Sequence, residues 1–209
     1  MFFKAGEHKA AGLPYNPFKA LVVPRPIGWI STLNEDGSVN LAPYSFFNAL
    51  ADRPPIVFFS PNGRSRAAGV KDSQRNAEAQ REFVCSLATW DLRDAMNASA
   101  EELPPGVSEP EKAGIEMAAS RLVAPPRVAA SPVALECRWL QTLELPSWDA
   151  EGGNFTVIGE VVGFHIAESA LTPEGLVDSA RLKPIARLGY RDYALTDSAF
   201  TMARPGETG

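Results

Sequence analysis

Two stretches decide how this chain folds: Val23-Pro24-Arg25-Pro26-Ile27-Gly28-Trp29-Ile30-Ser31-Thr32, and the answering Asn40-Leu41-Ala42-Pro43-Tyr44-Ser45-Phe46-Phe47-Asn48. From Lys19 to Leu33 the chain is rich in Val, Ile and Trp; it breaks at Asn34-Glu35-Asp36-Gly37 and resumes as Ser38-Val39-Asn40-Leu41. That pattern predicts a β-hairpin. Two prolines and a glycine between Arg25 and Gly28 suit an irregular or edge position whose backbone amides stay available to a ligand. At Ser45 to Asn48 a hydroxyl and an amide bracket two phenylalanines, the pairing of aromatic wall and polar anchor that a flat heteroaromatic ring with a polyol tail requires. A plain core hairpin is the competing reading of the same residues.

Working outward, Ile56-Val57-Phe58-Phe59-Ser60 lies between Pro55 and Pro61 as a short buried strand. Between Ser65 and Gln80 helix formers dominate, and Glu82 to Ala88 returns to strand composition. A short helix is expected at Asp91 to Ala100 with Asp91 as its N-cap. A Pro- and Glu-rich stretch follows, and 101–130 is expected as a surface excursion. Ser131 to Leu145 and Asn154 to Ala167 alternate as long antiparallel neighbours. Val133, Leu135, Cys137 and Trp139 are expected on one face of the first, and Ile158, Val162, Phe164 and Ile166 on one face of the second. Many strands, few short helices and no regular β-α-β alternation predict a mainly β protein built as a closed antiparallel barrel. The length of 209 residues fits one domain with elaborated loops.

Composition narrows the functions. The 45% hydrophobic and 22% charged residues are ordinary globular usage. A net charge of −5 and a pI near 5.2 disfavour nucleic acid and membrane surfaces as partners. The N-terminus, with Lys4, Glu7, His8 and Lys9, lacks a signal-peptide apolar segment, and a cytoplasmic location is expected. Cys85 and Cys137 read as buried small hydrophobes in a reducing compartment, and with His8 and His165 as the sole imidazoles no zinc spacing exists.

Neither a G-x-G-x-x-G fingerprint nor a Walker A sequence is present. The candidate phosphate site is therefore Gly63-Arg64-Ser65-Arg66 through Lys71-Asp72-Ser73-Gln74-Arg75-Asn76, where cations and hydroxyls gather near a helix start. Taken alone, the cluster also reads as a solvated helix face.

Arg25 to Thr32, Asn40 to Asn48 and Lys71-Asp72-Ser73-x-x-Asn76 occur in order. With Glu82-Phe83-Val84, Gly159-Glu160-Val161-Val162-Gly163-Phe164-His165-Ile166 and Arg187-Leu188-Gly189-Tyr190-Arg191-Asp192-Tyr193, they closely resemble the flavin reductase-like, FMN-binding split-barrel family, across most of Lys19 to Leu195. The resemblance implies a six-stranded Greek-key barrel that forms a homodimer and binds FMN at or near the subunit interface. It also implies that Ile27, Gly28, Trp29, Ile30, Ser31 and Thr32, with Ser45, Phe46, Phe47 and Asn48, line the isoalloxazine and ribityl chain. Lys71, Asp72 and Ser73 would meet the phosphate end, joined by Arg64, with Asp72 orienting Lys71 or a ribityl hydroxyl. Ser73 stands where the family often has threonine, which keeps the hydroxyl. For His165 two readings stand: a structural histidine at the barrel rim, or a contact to nicotinamide or the flavin edge. Arg187 and Tyr190 read equally as dimer-closing or cofactor-contacting residues.

The activity so implied is NAD(P)H-dependent flavin reduction, with NADH or NADPH as transient substrate and rim cations such as Arg64 or Arg66 choosing between them. Its rivals are a non-catalytic FMN-binding or electron-transfer module and a partner-binding barrel without flavin.

Overall fold

The structure is a computed structural model that describes residues 1–63, 69–104, 107–148 and 152–206. In chain order the elements are α1 (Phe18–Leu21), β1 (Arg25–Pro26), β2 (Gly28–Leu33), β3 (Val39–Tyr44), β4 (Phe47–Asp52), β5 (Pro55–Phe59), α2 (Asp72–Gln80), β6 (Glu82–Leu87) and α3 (Arg93–Ala98). They continue through α4 (Glu109–Ala113), β7 (Met117–Ala118), β8 (Arg127–Val128), β9 (Val133–Leu145), β10 (Asn154–Ile166), β11 (Ile185–Arg187) and β12 (Tyr193–Leu195).

The main sheet holds seven antiparallel strands in the order β3-β2-β6-β9-β10-β5-β4, one more than the six expected. Its two edge strands, β3 and β4, are consecutive in the chain and joined by Ser45 and Phe46 alone. So short a link between opposite edges forces the sheet to curl on itself. The curl is completed by covalent chain, with no β3–β4 ladder, and leaves a barrel split along one seam. Pro43 is accommodated in β3 because an edge strand has no outer ladder needing its missing N–H.

Strand β2 is buried on both faces, its Trp29 and Ile30 packed in the core and its Ser31 and Thr32 buried with hydrogen-bond partners. Ile30 joins Val57, Phe59, Phe83, Cys85, Cys137 and Val157 in one cluster. Trp29 and Ile27 join Leu41, Met96, Val128 and Ile185 in a second, and Trp29 Nε1 donates to Ser99 Oγ at 2.8 Å. The described residues of 101–130 lie outside the main sheet but are pinned to it. Ser108 Oγ donates to the Val39 carbonyl at 2.8 Å, the Leu41 amide to Glu109 Oε2 at 3.0 Å, and the Val128 amide to Ser86 Oγ at 3.1 Å.

Two local expectations change. The helix expected from Asp91 begins at Arg93 with Leu92 at the cap and no side-chain cap bond, because Leu92 is drawn into the second cluster. Phe164 and Ile166 are 60% and 43% exposed, whereas Val161 is buried. Register shifts at Ile158/Gly159 and Val161/Gly163 break the two-residue alternation along β10 and turn its last residues outward.

Candidate functional site

The split seam opens a cleft of about 1240 Å³. One wall is the seam itself: Ser45, Phe46, Phe47 and Asn48, backed by Phe58, Ser60 and Thr156. Phe46 is fixed by its carbonyl, which accepts the Ser60 amide at 2.8 Å, and Ser60 Oγ shares a 2.9 Å hydrogen bond with Thr156 Oγ1. Facing it is the N-terminal segment, with Phe3, His8, Asn16 and Lys19, together with Trp148 beyond the end of β9. Gly6 packs against the Trp148 ring, so the segment is held at the cleft mouth. His8 Nδ1 is buried there without a hydrogen-bond partner.

Arg25 organises this end. It is 5% exposed, and its Nη1 donates to the carbonyls of Lys19 and Val22, its Nη2 to that of Leu188 at 2.9 Å and its Nε to Ser45 Oγ at 3.5 Å. Burial, and secondarily Arg187, lower its pKa below the ordinary guanidinium value. The guanidinium of Arg25 and the ammonium of Lys19 lie 5.8 and 5.7 Å from the centroid of the Phe46 ring. One buried cation thus ties α1, the seam and the turn after β11 together.

Among the described residues, only Ser45, Phe46, Phe47 and Asn48 of the sequence-predicted set line this cleft; the others lie beyond its walls. Gly28 sits directly behind Phe47. Ile27, Trp29, Ile30, Ser31 and Thr32 are buried, their side chains turned into the two clusters or bonded internally; Ser31 Oγ donates to the Pro126 carbonyl. Thr32 and Ser73 belong to a polar network. Asn40 Nδ2 donates to Ser73 Oγ at 2.8 Å and to Thr32 Oγ1 at 3.1 Å, Asn76 Nδ2 to Thr32 Oγ1 at 3.2 Å, and Tyr44 Oη to Ser73 Oγ at 3.0 Å. Burial pushes the Tyr44 hydroxyl up to about 12, so it remains a donor at neutral pH.

Through Tyr44, the neighbour of Ser45, the start of α2 is tethered to the seam. Lys71 Nζ stands 3.8 Å from Glu102, and Asp72 pairs with Arg75 at 2.6 Å. Arg64 and Arg66 lie outside the described residues.

Arg187 and Tyr190 shape the turn beyond Arg25. Arg187 Nη2 donates to the Tyr190 carbonyl at 2.5 Å and its guanidinium lies 4.4 Å from the Tyr193 ring, while Tyr190 packs on Tyr15 with centroids 5.8 Å apart. His165 is not part of this cleft; it lines a separate cavity, where it bonds Glu136. Among the described residues no cluster of His, Cys, Asp and Glu could hold a metal.

Sequence reasoning missed the N-terminal wall and the central role of Arg25. The Arg25-Pro26 pair was a signal for the second, because a cation in a strand-like apolar run needs buried acceptors; nothing in residues 1–16 signalled the first.

A split antiparallel barrel with an aromatic, hydroxyl-edged cleft at its seam defines a class of small-molecule-binding barrels. Residues 20–186 match the family model described as the flavin reductase like domain, and the chain belongs to that family. It is 39% identical over 197 residues to an uncharacterised protein of Deinococcus radiodurans, covering 91% of this chain and 84% of the relative. Nitrilotriacetate monooxygenase component B from Bacillus cereus superposes with a TM-score of 0.86 at 30% identity, covering 97% of this chain and 98% of that one. A protein with a split barrel domain from Shewanella frigidimarina superposes with a TM-score of 0.81 at 18% identity over 98% and 100% of the two chains, which bears on the fold alone.

Proposed function

We propose that the chain binds FMN in the seam cleft and acts as an NAD(P)H-dependent flavin reductase, passing hydride from a nicotinamide to the flavin. The observation that carries this reading is the Ser45–Asn48 wall: two phenylalanines between a hydroxyl and an amide, opposite a buried histidine nitrogen without a partner. That donor set fits a flat ring bearing polar edges and a polyol tail. At about 1240 Å³ the cleft exceeds the roughly 300–1,000 Å³ usual for ligand pockets, which leaves room beside the ring for a transient NADH or NADPH.

In this reading hydride acceptance is the flavin's chemistry, and the protein's task is to bind, orient and shield it from water. Phe46 and Phe47 offer the stacking surface. Ser45, held by Arg25, and Asn48 offer polar anchors, and the β2 backbone from Ile27 to Thr32 supports the wall from behind. Lys71, Asp72 and Ser73 serve the phosphate end, with Ser73 tied to the seam by Tyr44. One domain spanning residues 1–209 that pairs as a homodimer completes the reading, with Arg187 and Tyr190 near the flavin. Light scattering is expected to give the dimer mass.

Anaerobic stopped-flow mixing of FMN-loaded protein with NADH or NADPH tests the activity. Bleaching of the flavin by at least one nucleotide is expected. If millimolar nucleotide leaves the flavin oxidised while dithionite reduces it, an FMN-binding module is the better account.

A further inference from the structure

The second cavity, of about 570 Å³, shares no lining residue with the seam cleft among the described residues. Its polar side carries Arg121, Arg127, His165 and Glu136; its apolar side includes Leu122, Phe164 and Ile166. The β10 register shifts built this wall, by turning Phe164 and Ile166 out of the barrel core.

Glu136 is 1% exposed and its carboxylate is fully engaged. It accepts the Arg121 amide at 2.7 Å, the Leu122 amide at 2.6 Å and His165 Nε2 at 2.5 Å. None of those bonds comes from a guanidinium. Among the described residues, the Arg121 and Arg127 side chains form no ion pair, and Arg127 Nε is buried without any acceptor. An unmatched buried guanidinium N–H is costly in a folded protein. Both arginines line the cavity, and for a guanidinium fork the best acceptor a ligand can bring is an oxyanion. Two guanidinia against one carboxylate in the wall suit a monoanion better than a dianion, and the apolar side calls for a hydrophobic body.

We propose that this cavity is a binding site for a small organic monoanion, a carboxylate carried on an aromatic or aliphatic body, with Arg127 meeting the carboxylate and Phe164 and Ile166 packing the body. The site is separate from the seam cleft and stands whether or not the chain reduces flavin.

Calorimetric titration of the full chain with benzoate, benzyl alcohol and inorganic phosphate, each with and without saturating FMN, tests it. Benzoate should bind, benzyl alcohol and phosphate should bind more weakly, and FMN should not displace benzoate. Losing one charge-assisted contact in Arg127→Gln should weaken benzoate roughly tenfold to hundredfold. Because Phe164 is largely exposed, Phe164→Asp should fold even if the arginine variant does not, and should abolish benzoate binding while sparing FMN binding. The proposal is overturned if benzoate gives no binding, if benzyl alcohol or phosphate matches it, if FMN competes with it, or if both variants bind it unchanged.

Discussion

The ring of Phe47 lies across Gly28 so closely that a β-carbon at position 28 would stand 2.5 Å from its Cδ2. The first residue of β4 and the first of β2 belong to strands far apart in the ladder order, so this contact crosses the barrel seam. Glycine there lets an aromatic wall close over strand backbone. Gly28→Ala is expected to cost about 1–3 kcal/mol by overpacking, read from urea denaturation, and to weaken FMN binding by displacing Phe47. Unchanged stability and affinity would show that Phe47 moves aside freely.

Arg25 distributes its donors over Lys19, Val22, Leu188 and Ser45, so its loss removes four hydrogen bonds at once from a buried side chain. Arg25→Ala should destabilise the chain by about 1.5–3 kcal/mol or more. Lysine keeps the charge without the planar fork, and Arg25→Lys should recover only part of that loss in thermal melts.

If the start of α2 serves a phosphate, the preference of FMN over riboflavin must reside there. Lys71→Ala should reduce FMN affinity by about 1.5–3 kcal/mol and leave riboflavin nearly unaffected, as measured by calorimetry. Equal losses for both flavins would remove Lys71 from the phosphate.

Burial alone would raise the Glu136 carboxyl, but the hydrogen bonds from His165 and the amides of Arg121 and Leu122 outweigh it and hold the group below its ordinary value. A carboxyl lowered on folding stabilises the native state fully above its unfolded-state pKa, about 4.3, and that stability is lost as pH falls through the folded-state value. Urea midpoints should therefore drop on acidification below about pH 5, and Glu136→Gln should be less stable at neutral pH with a shallower acid limb.

Both cysteines are buried and free; burial pushes the Cys85 thiol up to about 12 and raises Cys137 as well. Neither should react with a thiol reagent at pH 8 until the chain unfolds, so mass spectrometry after brief alkylation should find both unmodified. Rapid labelling of the native protein would contradict the packed interior around β6 and β9.

The sequence by itself determined the parts whose causes are local. Two-residue alternation and turn chemistry specified the hairpin of β2 and β3 with its Asn34–Gly37 break, the buried β5, the β6 strand and the long pair β9 and β10. The two blocks Arg25 to Thr32 and Asn40 to Asn48 also marked the stretch that became the cleft wall. Only the tertiary structure decided what fills the space around it. Arg25 meets a carbonyl 163 residues away, Glu136 and His165 meet across 29 residues, and the N-terminal segment supplies the opposite wall. Those encounters follow from how far the sheet curls and where β10 shifts register, and a one-residue shift reverses every later side chain without altering local composition. That reversal turned Phe164 and Ile166 away from the core and left His165 on a cavity of its own.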